Sequence, residues 1–159
     1  MSFYITFFNQ IIGSNSHLHP AYKSYLYPMK DLGIPLMDSV SEEQSLLNYV
    51  NLLRENHNLN DLFIDDNLNI IAETRLNEMV ISYSHTRPNG EHGYDLIDSS
   101  KWRGENLAKN YYSANEVLAA WCNSQPHLEN LIFKEYTKVG IKCDQMSDGS
   151  TYWVMMFSN

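Results

Sequence analysis

From residue 41 onward the apolar positions fall into two rhythms, a helical one first and an alternating one last. In SEEQSLLNYVNLLREN, Leu46, Val50 and Leu53 recur at i, i+4 and i+7, and Ser41 with Gln44 has the form of a capping box. A first helix is predicted over roughly residues 42 to 56. A second follows Asp65 and Asp66, whose acids suit a helix N-terminus, with Leu68, Ala72, Leu76 and Met79 as its buried face. The pattern breaks at SYSHTRPNGEHGYDL, where Pro88-Asn89-Gly90 signals a turn. A third helix is predicted from Ser113, which forms a capping box with Glu116, and buries Val117, Ala120 and Trp121. Pro126 suits the first turn of a short fourth helix ending near Leu131. The rhythm then changes. TKVGIKC alternates with Val139, Ile141 and Cys143 inward, YWVMMF is a dense apolar strand, and Asp148-Gly149 between them marks a hairpin.

Helices first and an antiparallel pair last imply an α+β domain, a small sheet covered by helices, over residues 41 to 159. Residues 1 to 40 hold Pro20, Pro28 and Pro35 and no sustained period. They read as an N-terminal extension packing on the domain, anchored by Tyr22, Tyr25 and Tyr27.

Composition narrows the function more than the fold. The 159 residues are 43% apolar and 13% aromatic, which describes a folded globular chain rather than a disordered one. A formal charge of −8 with no basic patch argues against nucleic acid as a partner. No stretch approaches the ~20 apolar residues of a transmembrane segment. The opening MSFYITFFNQIIGS lacks a positive n-region, and Asn9 and Gln10 interrupt its apolar run, so it is not a convincing signal peptide. Cys122 and Cys143 are too few for a disulfide framework; one bridge or two buried thiols are both open.

Four ionisable residues stand out: His85, Glu105, Glu116 and His127. None is a helical neighbour of another, so only the fold could assemble them. Two imidazoles and two carboxylates are a donor set for a divalent ion such as zinc, or an acid and base for a bound substrate. Each also has a structural explanation. The Glu116 carboxylate would return to the backbone N–H of Ser113, Glu105 would accept backbone donors in a Gly-Glu-Asn turn, His127 would sit on a helix surface, and His85 would hydrogen-bond within its loop. His57 and His92 are read as solvent-exposed. HExxH, GxSxG, a phosphate-cradling glycine loop and CxxC are all missing from the sequence.

The order SHTRPNG, RGENLA, SANEVLAAW, SQPHLENLIFKEYTKVGIKC, YWVMMF resembles the CAP superfamily of cysteine-rich secretory, antigen 5 and pathogenesis-related proteins (SCP domains), in its compact bacterial branch. The resemblance runs from about Glu43 to Phe157. It implies an α-β-α sandwich with a small antiparallel sheet between helical layers, and an extracellular or cell-surface location. It also implies a cleft tetrad of His85, Glu105, Glu116 and His127, with Asn106, Asn130 and Ser113 in support. In similar proteins such a tetrad takes Zn2+ or another divalent cation, here through His85 and His127. The segment between His85 and Glu105 is short for the bacterial form, and no sterol-binding loop of the eukaryotic relatives can be located.

Three functions follow as expectations. The first is a secreted or surface-associated, non-catalytic binding module for a small amphiphile, lipid or cell-envelope component. The second is a zinc-dependent hydrolase with Glu105 or Glu116 as catalytic base. The third is an interaction domain whose tetrad is purely structural.

Overall fold

The computed structural model describes residues 40–159; the extension expected over residues 1 to 40, Val40 apart, lies outside them. Helix α1 (Glu42–Asn56) matches its predicted span and buries Leu46, Leu47, Val50 and Leu53. The same face buries Arg54 completely. Its guanidinium donates to the carbonyls of Asn60 (2.8 Å), Leu131 (2.8 Å), Phe133 (3.1 Å) and Tyr136 (3.1 Å). Burial lowers the pKa of this cation, and four carbonyl dipoles take the place of water around it.

Strand β1 (Phe63–Ile64) is two residues long and leads into α2 (Asp66–Ile81). Asp65 caps that helix, its carboxylate accepting from the N–H groups of Asn67 and Leu68. Leu68, Ala72, Leu76 and Met79 are buried as the spacing requires. A 3₁₀ turn (Gly93–Leu96) interrupts the following loop, and then comes β2 (Arg103–Lys109). Helices α3 (Ala114–Cys122) and α4 (Gln125–Leu131) precede the hairpin of β3 (Lys138–Gln145) and β4 (Thr151–Ser158). The hairpin turns through Gly149, whose φ of +85° suits a residue without Cβ.

The sheet order is β1-β3-β4-β2. β4 runs antiparallel to both neighbours, but β1 pairs with β3 in parallel. The expected antiparallel sheet is therefore mixed, because the chain crosses over through α2 between β1 and β3.

All eight residues of β4 are buried, as a central strand covered on both faces must be. On one face Leu107, Tyr152, Val154 and Met156 pack against Leu68, Ala72, Leu76 and Met79 of α2. A Cβ on Gly140 would overlap the backbone of Leu68, so this glycine lets α2 rest directly on the sheet. On the other face lie α1, α3 and α4, with Tyr136 stacked on Phe157 at 5.2 Å. This is the three-layer α-β-α arrangement. Ala120 is only half-buried, whereas Leu118 takes the core place predicted for it.

Candidate functional site at the edge of strand β2

Gly-Glu-Asn, expected as a turn, is instead the start of an edge strand. Period-two alternation sends Glu105 to the α2 face and Asn106 to the opposite face. The open edge of β2 is covered by side chains rather than by another strand. Asn130 Nδ2 donates to the Glu105 carbonyl (3.2 Å) and Trp121 Nε1 to the Leu107 carbonyl (3.1 Å). Asn130 Nδ2 also donates to Asn106 Oδ1 (2.9 Å), and Asn106 Nδ2 donates to the His127 carbonyl (3.0 Å). The two asparagines therefore fasten α4, and His127 with it, to the strand that carries Glu105.

His85 reaches the same edge from the loop after α2. That loop closes on a turn in which Gly90 N–H donates to the Arg87 carbonyl, with Pro88 and Asn89 at its centre. The His85 carbonyl accepts from Gly93 N–H (2.8 Å). The His85 ring is 55% exposed, yet its Nδ1 lies 2.7 Å from Glu105 Oε1. Glu105 itself is 1% exposed at the side chain, and its Oε2 accepts from Arg75 Nε at 2.6 Å.

Arg75 has no place among the expected site residues. It is fully buried on α2 and also donates to Glu78 and to the Ser84 carbonyl (2.7 Å). Burial alone would lower its pKa, but Glu105 and Glu78 outweigh that and raise it. Burial likewise pushes the Glu78 carboxyl up, while the guanidinium groups of Arg87 and Arg75 hold it below its ordinary range. The sequence does carry a signal for Arg75: residue 75 falls seven positions after Leu68 and three after Ala72, on the apolar stripe.

His127 belongs to α4. Its Nδ1 contacts Ser124 Oγ at 2.8 Å, and its ring stacks near Trp121 with centroids 6.4 Å apart. Burial, and then the neighbouring His85, lower its pKa below the usual 6.5. The two histidine rings lie 6.3 Å apart, tilted by 36°. Because each uses Nδ1, Nε2 is the free nitrogen on both among the described residues.

Glu116 differs from the other three. It is exposed, and its Oε2 accepts from Tyr112 N–H at 2.8 Å, not from Ser113 N–H as the capping box required. Ser113 Oγ does accept from Glu116 N–H (3.3 Å), and Glu42 from α1 supplies the second cap by accepting from Ala114 N–H (2.6 Å). The structure thus brings His85, Glu105 and His127 together and leaves Glu116 engaged with its own helix start.

As a metal centre the donor set fits only in part. Two imidazoles offer Nε2, but both Glu105 oxygens are committed to Arg75 and His85. Among the described residues no three His, Cys, Asp or Glu side chains converge as a ligand set. Catalytic zinc ordinarily takes three protein ligands and structural zinc four.

A groove of about 300 Å³ lies elsewhere, between the first turns of α2, the 96–101 loop and the end of β4, and none of the four residues lines it. Cys122 and Cys143 are free thiols, both half-buried. No described helix is long and apolar enough to cross a membrane.

An α-β-α sandwich with one histidine from a loop, one from a short helix and a glutamate on the edge strand defines the CAP, or SCP, class of domain. Residues 47–157 match the cysteine-rich secretory protein (CAP) family, and the chain belongs to it. The chain is similar to the uncharacterized protein YkwD of Bacillus subtilis, 29% identical over 105 residues; the match covers 62% of this chain and 41% of that protein's length. Among solved structures it resembles an outer surface protein of Borrelia burgdorferi at 28% identity and a TM-score of 0.69, covering 77% of this chain and 96% of that one. An extracellular SCP-domain protein from Bacillus anthracis shares the fold at 24% identity and a TM-score of 0.62, over 73% of this chain and 39% of that one.

Proposed function

We propose that this protein is a secreted or surface-associated CAP-domain binding module whose site at the β2 edge holds a small amphiphile, lipid or cell-envelope component without turning it over. One observation carries the non-catalytic reading. The carboxylate paired with His85, Glu105, engages both oxygens with Arg75 and His85 and is sealed from solvent, so neither oxygen is open to a substrate. The relatives support the location, since the Borrelia burgdorferi relative is described as an outer surface protein and the Bacillus anthracis one as extracellular.

Where a divalent cation is taken up, His85 and His127 would be the residues to hold it. The chain's own residues then orient and hold: Glu105 fixes the His85 ring, Ser124 fixes the His127 ring with Trp121 behind it, and Asn106 holds the His127 backbone.

The test is zinc calorimetry on the wild type and the His85→Ala/His127→Ala double variant, run beside assays of ester and peptide hydrolysis. The expected result is weak or no zinc binding in the wild type and no turnover. Zinc held below micromolar concentration, with hydrolysis that disappears in the double variant, would establish the metallohydrolase instead.

A further inference from the structure

We propose that Arg75 is the positioning residue of this site, fixing His85 in the Nδ1–H tautomer so that its Nε2 lone pair faces outward beside His127. The inference rests on the reading of this edge as the binding site, but its measurement needs no ligand.

The His85 ring is more than half exposed, so packing against neighbours cannot select its orientation. Hydrogen bonds must do so, and among the described residues the ring has one, from Nδ1 to Glu105 Oε1. A carboxylate only accepts, so while Glu105 stands in line the neutral form of the ring places its one hydrogen on Nδ1 and leaves Nε2 bare. What holds Glu105 in line is Arg75, which grips Oε2 through Nε at 2.6 Å.

The same guanidinium reaches the other side of His85. Its Nη2 donates to the Ser84 carbonyl at 2.7 Å, fixing the backbone one residue before the ring. Arg75 therefore constrains His85 twice, at the chain entering it and at the acceptor receiving it.

The guanidinium is held in turn. Glu78, one helical turn on, accepts from Arg75, and its Oε1 accepts from Arg87 Nη2 at 2.9 Å and Nε at 3.0 Å. Arg87 begins the turn that closes the His85 loop. A ladder Arg87–Glu78–Arg75–Glu105–His85 thus runs from the loop, through the buried face of α2, and back to the loop. Arginine suits its centre because a planar fork can serve Glu105, Glu78 and Ser84 at once, while an ammonium offers one point.

The experiment is long-range ¹⁵N–¹H correlation on the imidazoles of the metal-free full chain, at about pH 8 where histidine is neutral. In the wild type His85 is expected as a single tautomer, protonated at Nδ1. Arg75→Met releases Glu105 and Ser84, and His85 moves to a mixture dominated by the Nε2–H form that free imidazole side chains favour. Arg75→Lys preserves the buried charge and carries the test if the methionine variant does not fold; it is expected to show both tautomers. The proposal is overturned if wild-type His85 is already mainly Nε2–H, or if the folded variants keep the pure Nδ1–H form. A cleft that binds nothing, with these tautomers as stated, would remove the binding reading and leave the positioning role intact.

Discussion

Gly93→Ala is the smallest perturbation that reaches the centre of this site. Gly93 is buried, and its N–H donates to the His85 carbonyl. A methyl group there would overlap Glu105 Oε2 and Arg75 Nε, and would come within 2.6 Å of Glu105 Cδ. Neither neighbour is a free side-chain end: they are the two halves of a buried ion pair, each held by further partners. Either the pair parts or the loop lifts off the strand. Overpacking of this kind costs about 1–3 kcal/mol, and weakening one charged hydrogen bond adds about 1.5–3 kcal/mol, so a loss of roughly 2.5–6 kcal/mol is expected. For a domain of this size that corresponds to a fall in Tm of roughly 8–24 °C.

Urea unfolding followed by circular dichroism gives the number, with an unchanged m-value required before the midpoint is converted to energy. Gly90→Ala, three residues earlier, is the control. Gly90 has φ +90° with nothing within 4 Å of a would-be Cβ, so it bears only the conformational cost of roughly 1–2 kcal/mol. A cycle with Glu105→Ala then isolates the cause, because removing the overlapped carboxylate should shrink the Gly93→Ala penalty. The reasoning is refuted if Gly93→Ala lies within about 0.5 kcal/mol of wild type, or if its cost is the same with and without Glu105.

Three further outcomes are expected. The folded-state pKa of Glu78 lies below its ordinary 4.5, so its contribution is complete above that value and is lost as pH falls through the folded pKa; Glu78→Gln should flatten the acid limb of the stability–pH profile. Arg54→Met removes the donor from four carbonyls and should cost at least about 3 kcal/mol in urea unfolding, whereas a loss below about 1 kcal/mol would mean that water replaces the guanidinium. Burial raises the Cys122 and Cys143 thiols to about 11 and about 12, so Ellman's reagent should react slowly at about pH 8 in the folded protein and release two equivalents in denaturant; none on unfolding would mean a disulfide.

What was legible in the sequence depended on how much of each element's burial was apolar. The α1 span, the Leu68–Met79 stripe and the closing hairpin stand in the structure as the periodicity placed them. β2 escaped because RGENLAK is buried on both faces while carrying a glutamate and an asparagine, whose partners lie on α2 and α4. Period-two hydrophobicity cannot reveal a strand whose inward residues are polar and satisfied from elsewhere. Arg54 and Arg75 escaped for a related reason: charge reads as surface, although both sit on apolar stripes, Arg54 four residues after Val50. β1, two residues long and parallel, has no local signature. The capping partner of Glu116 was misplaced by one residue, since Tyr112 and Ser113 offer adjacent N–H groups.

The resemblance named four residues as equals, and the geometry makes them unequal. Glu105 lies inside the fold, whereas Glu116 lies outside with one oxygen unengaged among the described residues. The difference follows from β2 being an edge strand. An edge must have its outward carbonyls satisfied, and here Trp121 does so from α3 and Asn130 from α4, the helix that also carries His127. Covering the edge therefore draws that histidine towards the strand, while Arg75 draws Glu105 and the His85 loop to it from the opposite layer. Assembly of the site and closure of the sheet are one set of hydrogen bonds. Substitutions at Glu105, Asn106 or Asn130 should accordingly lower stability and binding together, and Glu116 is the tetrad position where the two should separate. If Glu116→Gln changed ligand binding while leaving the melting temperature within a degree or two, the exposed carboxylate would be the functional one. Equal loss of both would place it in the frame with Glu105.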